Sequence, residues 1–323
     1  MDLQYAEMTN TILKRTTLIV RDAMSAMAFY RDVLRWDVVY ENILTLSGGI
    51  IPGDNAGAKV QLYIMEGLDK VVGKIGLLQF LNPALKDPSP PRRSLGIGDI
   101  ILVADTDDMD GLVKRIESFG SSHIYSPPKS DVFPDPHGKG DIEFSSMSFF
   151  DPDGYFYEVY YRYNRPNPDG FLVRRCTCVV RDVERSVDFF TNTLGLSVYQ
   201  DSTMNIQGML PAGKPGDTVR FVVCRGDHDY IGMVAGLQFL EDPLEDPGEA
   251  TWEFGLGKAV FVAGTNEAYA MFDRVKAAGV RVTGEPFTRV VPKSGGAGTT
   301  EMTSMGFQDP DGFIWEVNQR SDT

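Results

Sequence analysis

The sequence predicts an α+β protein built from four βαβββ modules in two tandem halves. Three observations predict it. The chain repeats itself at an offset of 160, from Arg15 to Arg175. Within each half a strand, a helix and three further strands recur a second time. The tetrapeptide DPDG stands before the last strand of each half, at 151–154 and 309–312.

The segments RTTLIVRDAMSAMAFYRDVL (15–34) and RCTCVVRDVERSVDFFTNTL (175–194) match at Arg, Thr, Val, Arg-Asp, Phe and the closing Leu. GLLQFLNPALKDP (76–88) matches GLQFLEDPLEDP (236–247), and MSFFDPDGYFYEVYYR (147–162) matches MGFQDPDGFIWEVNQR (305–320). In the first half, the β-branched run Leu18-Ile19-Val20 reads as a strand. Asp22 then precedes a helix whose apolar face carries Met27, Tyr30 and Leu34. Strands follow around WDVVYENI, KVQLYIM and KIGLLQFL. The pattern restarts with strand DIILVAD, a helix in MDGLVKRIESFG, and strands near HIYS, SSMSFF and YFYEVYY. Asp22, Asp105 and Asp182 lie between strand and helix, where a short acidic side chain caps free N–H groups. In DPDG, Pro presets φ, Asp bonds the turn and Gly supplies positive φ, so each copy is a hairpin turn. Alternation then puts Phe156, Glu158 and Tyr160 on one face, and Ile314, Glu316 and Asn318 on one face. The expected domains are 12–163 and 171–320, joined by the turn-rich linker 164–170, NRPNPDG.

Composition narrows the function. With 323 residues, 42% hydrophobic and 24% charged, the chain is long enough for two packed domains. A net charge of −14 argues against nucleic acid and against an anionic membrane surface as partners. No apolar run reaches membrane-spanning length. Cys176, Cys178 and Cys224 form neither a CxxC nor a disulfide framework, which points to a reducing cytoplasm. The N-terminal MDLQYAEMTNTILKR lacks the apolar centre of a secretory signal.

The strand–Asp–helix segments with FY or FF, together with the FxDPDGxxxE hairpins, resemble the vicinal oxygen chelate superfamily. This family includes glyoxalase I, type I extradiol dioxygenases, bleomycin-resistance proteins, and several epimerases and lyases. The resemblance covers residues 12–320 and implies module pairs that curl into open cups around a small ligand. It also implies a divalent metal held by His residues on the first strands and Glu on the last. At those positions the first half carries Arg15, Gln79, Asp99 and Glu158, and the second carries Arg175, Gln238, Lys258 and Glu316. Both Glu residues are kept. Each expected His is replaced, in three cases by a cation with no lone pair to offer. His123, His137 and His228 fall elsewhere.

No cofactor is therefore expected. If a metal binds at all, Asp99 and Glu158 are the oxygen donors, helped by Gln79. The expected activity is acid–base chemistry of lyase or isomerase type on a hydrophobic or aromatic metabolite. Glu316 is the base beside Lys258, and Arg175 holds a carboxylate or enolate. Arg15, Gln79, Asp99, Glu158, Gln238, Phe156 and Tyr160 line the substrate. The alternatives are a bleomycin-resistance-like binding protein, or a glyoxalase- or dioxygenase-like enzyme with rewired oxygen ligands. A homodimer is compatible with this layout. If the first module pairs with the fourth, Arg15 faces Lys258 and Glu316 instead. The Gly and Pro content of segments 132–146 and 290–304 fits mobile covers over the cups, with a plain irregular surface loop as the favoured reading.

Overall fold

The structure, a computed structural model, describes residues 11–321 except 88, 136–137, 139, 207, 228–229, 242–243, 245, 249–251 and 293–297. The first module runs β1 (Ile12–Ile19), α1 (Ala23–Asp32), β2 (Asp37–Thr45), β3 (Lys59–Glu66) and β4 (Lys74–Asn82). The second runs β5 (Ile100–Asp105), α2 (Met109–Phe119), β6 (His123–Pro134), β7 (Asp141–Phe150) and β8 (Phe156–Arg162). The third has β9 (Leu172–Val179), α3 (Val183–Asp188) with a π-helical turn at Phe189–Thr193, β10 (Ser197–Asn205), β11 (Thr218–Arg225) and β12 (Met233–Phe239). The fourth has β13 (Ala259–Gly264), α4 (Ala268–Ala277), β14 (Arg281–Pro292), β15 (Thr299–Gln308) and β16 (Ile314–Arg320). All four βαβββ modules expected from the sequence are present.

Two curled eight-stranded sheets result, in the orders β2-β3-β4-β1-β13-β16-β15-β14 and β10-β11-β12-β9-β5-β8-β7-β6. In each module the first strand pairs with the last in parallel, leaving its other edge open. Two open edges seal each other antiparallel, β1 with β13 and β5 with β9. This satisfies backbone groups that are buried on both faces. The first module therefore shares a sheet with the fourth, and the second with the third. Each sheet takes one module from each half of the sequence.

The backs of both sheets and the helices share one apolar core, with Phe29, Trp36, Leu102, Phe190, Phe261 and Trp315 buried in it. Tyr30 on α1 and Tyr157 on β8 meet there, hydroxyl to hydroxyl at 2.7 Å. The two modules of the first half, which lie on different sheets, are thus joined through the helix layer, while each cup combines modules from both halves.

The local chemistry largely follows expectation. Asp22 accepts from Ser25 N, and Asp182 accepts from the N–H groups of Glu184 and Arg185. Asp105 departs from it. The cap of α2 is Asp108, which accepts from Gly111 N, while Asp105 is the last residue of β5 and fully buried. The helix begins three residues later than a cap at Asp105 requires, so its carboxylate stays on the sheet. Both DPDG segments are hairpin turns, with Gly154 at φ 94° and Gly312 at φ 90°.

The expected covers are also corrected. Residues 132–134 and 141–146 are paired arms of the β6–β7 hairpin, and 290–292 and 299–304 those of β14–β15. The parts of these segments at residues 136–137, 139 and 293–297 lie outside the described residues. The segments that cross the cups are 46–58 and, among the described residues, 206 and 208–217. The Ile50 carbonyl accepts from Thr283 Oγ1 at 2.7 Å, and the Met209 carbonyl accepts from Ser148 Oγ at 2.9 Å.

Candidate ligand cup

The concave face of the second sheet encloses a cavity of about 1470 Å³. Its walls are mostly apolar: Ile101, Phe144, Tyr199, Val219, Phe221 and Leu237 all line it. Strand alternation selects which polar groups join them. On β8, Glu158, Tyr160 and Arg162 share the cup face, as do Val103 and Asp105 on β5.

Val103 is registered with Arg175 on one side and Glu158 on the other. The two charged residues therefore flank one rung, two strands apart, roughly 10 Å between backbones. Both line the cavity. Arg175 is 9% exposed; its Nε donates to Thr177 Oγ1 at 3.2 Å and its guanidinium lies 4.6 Å over the Phe221 ring. Glu158 accepts the Tyr160 hydroxyl at 2.6 Å. Burial, then the repulsion of Arg174, pulls the Arg175 pKa down to about 10. Burial, then Glu158, pushes the Tyr160 phenol well up, so it stays a donor.

A second polar group completes the cup wall. Arg162 Nη2 donates to Asp105 Oδ2 at 2.6 Å, Arg174 Nε lies 3.4 Å from Asp105 Oδ1, and the Tyr230 hydroxyl donates to Asp105. Arg174 also sits 5.4 Å over the Tyr160 ring. Burial lowers the Arg174 pKa, but the attraction of Asp105, Tyr230, Tyr160 and Glu158 outweighs it and the net shift is upward. The sequence reading missed Asp105, Arg162, Arg174 and Tyr230 as site residues. Arg174 reaches the cup because β9 carries a bulge between the partners of Val103 and Ala104, which lets two successive residues face one side. The doublet Arg174-Arg175, echoed by Lys14-Arg15, was the available signal, and β1 is bulged at the same point.

The first sheet repeats the arrangement with a different outcome. Val262 is registered with both Arg15 and Glu316. Arg15 Nη2 lies 3.9 Å from Glu316, which also has Arg289 at 3.8 Å and accepts from Asn318 Nδ2 at 3.1 Å. Burial lowers the Arg15 pKa and Glu316 opposes it. This cup is packed with Leu46, Ile51, Leu62, Phe80, Phe254 and Ile314, two of them from the crossing segment.

The other expected site residues go elsewhere. Gln79 Oε1 accepts from Ala23 N at 2.9 Å and Gln238 Oε1 from Val183 N at 3.1 Å. Each sits on the helix side of its strand and serves a helix start, not the cup. Phe156 is buried against Phe150 beneath the cavity. Lys258 and Asp99 precede β13 and β5 and face each other electrostatically; Asp99 also pairs with Arg92 at 3.0 Å. Lys258 is four residues along the strand from the Glu316 rung, roughly 13 Å away, so it does not assist Glu316. Asp99 is equally remote from Glu158, and Gln79 is on the other sheet. His123 opens β6 opposite Phe150, and His137 and His228 lie outside the described residues.

The donor set at these rungs does not fit a divalent metal. Two guanidiniums stand where ligands are needed, and the three oxygen donors suggested for a metal do not converge. Among the described residues no group of three or more His, Cys, Asp or Glu is placed to hold one.

The fold and cup define a class of proteins with paired βαβββ modules around an open ligand cavity. The Glyoxalase/Bleomycin resistance protein/Dioxygenase superfamily profile matches residues 12–159 and 173–317, and the chain belongs to that superfamily. Glyoxalase I from Zea mays is similar in structure, with a TM-score of 0.59 at 17% identity, over 96% of this chain and 92% of that one. A candidate dioxygenase from Bacillus subtilis superposes with a TM-score of 0.53 at 17% identity, over 97% and 86%. No curated protein sequence matches the chain. At these identities the likeness is one of fold. Among the described residues no helix is long and apolar enough to cross a membrane.

Proposed function

We propose that the chain is a small-molecule enzyme of lyase or isomerase type, acting by proton transfer on a largely apolar molecule in the cup of the second and third modules. The observation that carries this reading is the shared rung of Glu158 and Arg175 on the wall of a cavity of about 1470 Å³. Glu158 is the proton acceptor. Tyr160, already bonded to it at 2.6 Å, holds its orientation and can pass a proton on. Arg175 presents the guanidinium fork to oxygens next to the reacting carbon and stabilises the negative charge that forms there. The base is thus Glu158 with Arg175, in place of Glu316 with Lys258.

The test is solvent deuterium incorporation into a panel of aromatic ketones and keto acids, followed by NMR, with binding measured in parallel by calorimetry. Glu158→Gln should retain binding and lose exchange by a factor of roughly 100 or more. Ligands that bind without exchange in the wild type would replace this reading with a sequestering role. The direct Tyr160–Glu158 bond favours that second reading, since it already occupies one carboxylate oxygen.

A further inference from the structure

We infer that the cup of the second and third modules takes a monoanionic carboxylic acid, its carboxylate seated on the terminal nitrogens of Arg175. The inference rests on the ligand cup proposed above and names the chemical class it accepts. Arg162, Arg174, Arg175 and Glu158 line the inner wall, with Asp105 fully buried behind Arg162 and Arg174. Asp105 is committed to Arg162 and Arg174, and Glu158 to the Tyr160 hydroxyl. The remaining carboxylates on the cavity are not free to reach in. Asp135 pairs with Arg165 at 4.0 Å, Asp69 receives the N–H groups of Val71 and Val72, and Asp131 is exposed.

Among the described residues the Arg175 side chain has one hydrogen bond, from Nε to Thr177. Among the described residues no carboxylate lies within ion-pair distance of it. One flat face of the guanidinium stacks on Phe221, its Nε is bonded to Thr177, and the side chain lines the cavity, which leaves the two terminal nitrogens as the donors a ligand can use. A desolvated cation without a carboxylate at ion-pair distance is unfavourable, and a bound carboxylate supplies that partner in the planar geometry a guanidinium prefers. The first sheet shows the contrast. There the equivalent Arg15 has Glu316 at 3.9 Å, and the space is filled by side chains. One cup closes its charge internally and is packed; in the other, Arg175 feels Glu158 only from beyond ion-pair distance and lines a largely apolar cavity. That volume exceeds the usual range for drug-sized ligands and suits an extended or polycyclic apolar body.

The experiment compares acid and amide pairs of one skeleton, decanoic acid with decanamide and 2-naphthylacetic acid with its amide, by calorimetry at constant ionic strength. The wild type should bind each acid at least about tenfold more tightly than its amide. Arg175→Met, with its fold checked by circular dichroism, should erase that preference. Arg31→Met, on an exposed face of α1 beside Asp32, should keep it. Equal affinity of acid and amide in the wild type overturns the carboxylate assignment while leaving the cup a ligand site. Displacement of neither pair's signal by mutations that fill the cavity, such as Val219→Trp, would place binding elsewhere and overturn the cup reading itself.

Discussion

Arg175 and Glu158 stand on the same rung of the second sheet, on either side of Val103, and do not form an ion pair. Their equivalents Arg15 and Glu316 stand on the same rung of the first sheet, around Val262, and approach to 3.9 Å. The difference lies in the neighbours. Tyr160 takes Glu158, whereas Asn318 and Arg289 hold Glu316 within reach of Arg15. One sequence motif, duplicated, thus gives a closed charge pair in one cup and two separate groups in the other.

Thr177 fixes the angle of the Arg175 fork through its single bond to Nε. Thr177→Val keeps shape and β-propensity but removes the acceptor. Carboxylate affinity should fall severalfold, by about 1 kcal/mol, with amide affinity and melting temperature little changed. Paired titrations of acid and amide check it.

Asp105 and Asp108 are three residues apart and differ sharply in role. Asp105 is fully buried between Arg162 and Arg174; Asp108 caps a helix near the surface. Asp105→Ala leaves two desolvated cations and should cost roughly 3–5 kcal/mol. Asp108→Ala should cost about 1 kcal/mol. Urea denaturation of both variants measures the contrast, and equal losses would show that the Asp105 cluster is not desolvated.

Gly284 allows the first cup to be closed. A Cβ there would collide with the Gly49 carbonyl oxygen, backbone that cannot yield without moving the crossing segment. Gly284→Ala should displace residues 46–58 from the first cup and raise their cleavage by limited proteolysis. Gly279→Ala is a poor control because its φ is 69°, whereas Gly255→Ala meets open space and should leave the pattern unchanged.

The Asp151 carboxyl is buried and pushed up, chiefly by burial and then by Asp153, against the opposing hydrogen bonds from Tyr155, Tyr30 and Asp153, which favours its neutral form in the fold over a pH range where an unfolded Asp is ionised. The folded chain then binds more protons than the unfolded one. The contribution is full below the unfolded pKa near 4 and is lost as pH rises through the raised folded value. Asp151→Asn imitates the neutral acid. The stability of the variant relative to wild type should therefore rise between about pH 5 and pH 8 in chemical denaturation. A flat difference would mean that the carboxyl is ionised in the fold.

Local chemistry made much of the architecture legible. The repeat, the DPDG turns, the caps Asp22 and Asp182, and the alternation that aims Glu158 and Glu316 into cups all follow from neighbours in the chain. Gln79 and Gln238 were misassigned because strand parity decides the face, and one residue of register sends a side chain to the helix layer. Arg174 was missed because a bulge breaks that parity. Lys258 and Asp99 sit at strand entrances, four residues short of the Val262 and Val103 rungs, a distance along the strand that the family spacing does not reveal.

The sequence by itself determined the four modules, the residues offered to each cup face and the loss of metal-ligand types at the family positions. Only the tertiary structure decided which cup each residue joined. The open edge of β1 could be sealed by β5 or by β13, since both are short, apolar and β-branched, and backbone hydrogen bonding does not distinguish them. The observed choice brings Arg15 to Glu316 across nearly the whole chain, and it brings Arg175 to Glu158 across the linker. Whether a cup stays open depends in turn on side chains of the crossing segments filling it, a packing outcome that no local pattern encodes.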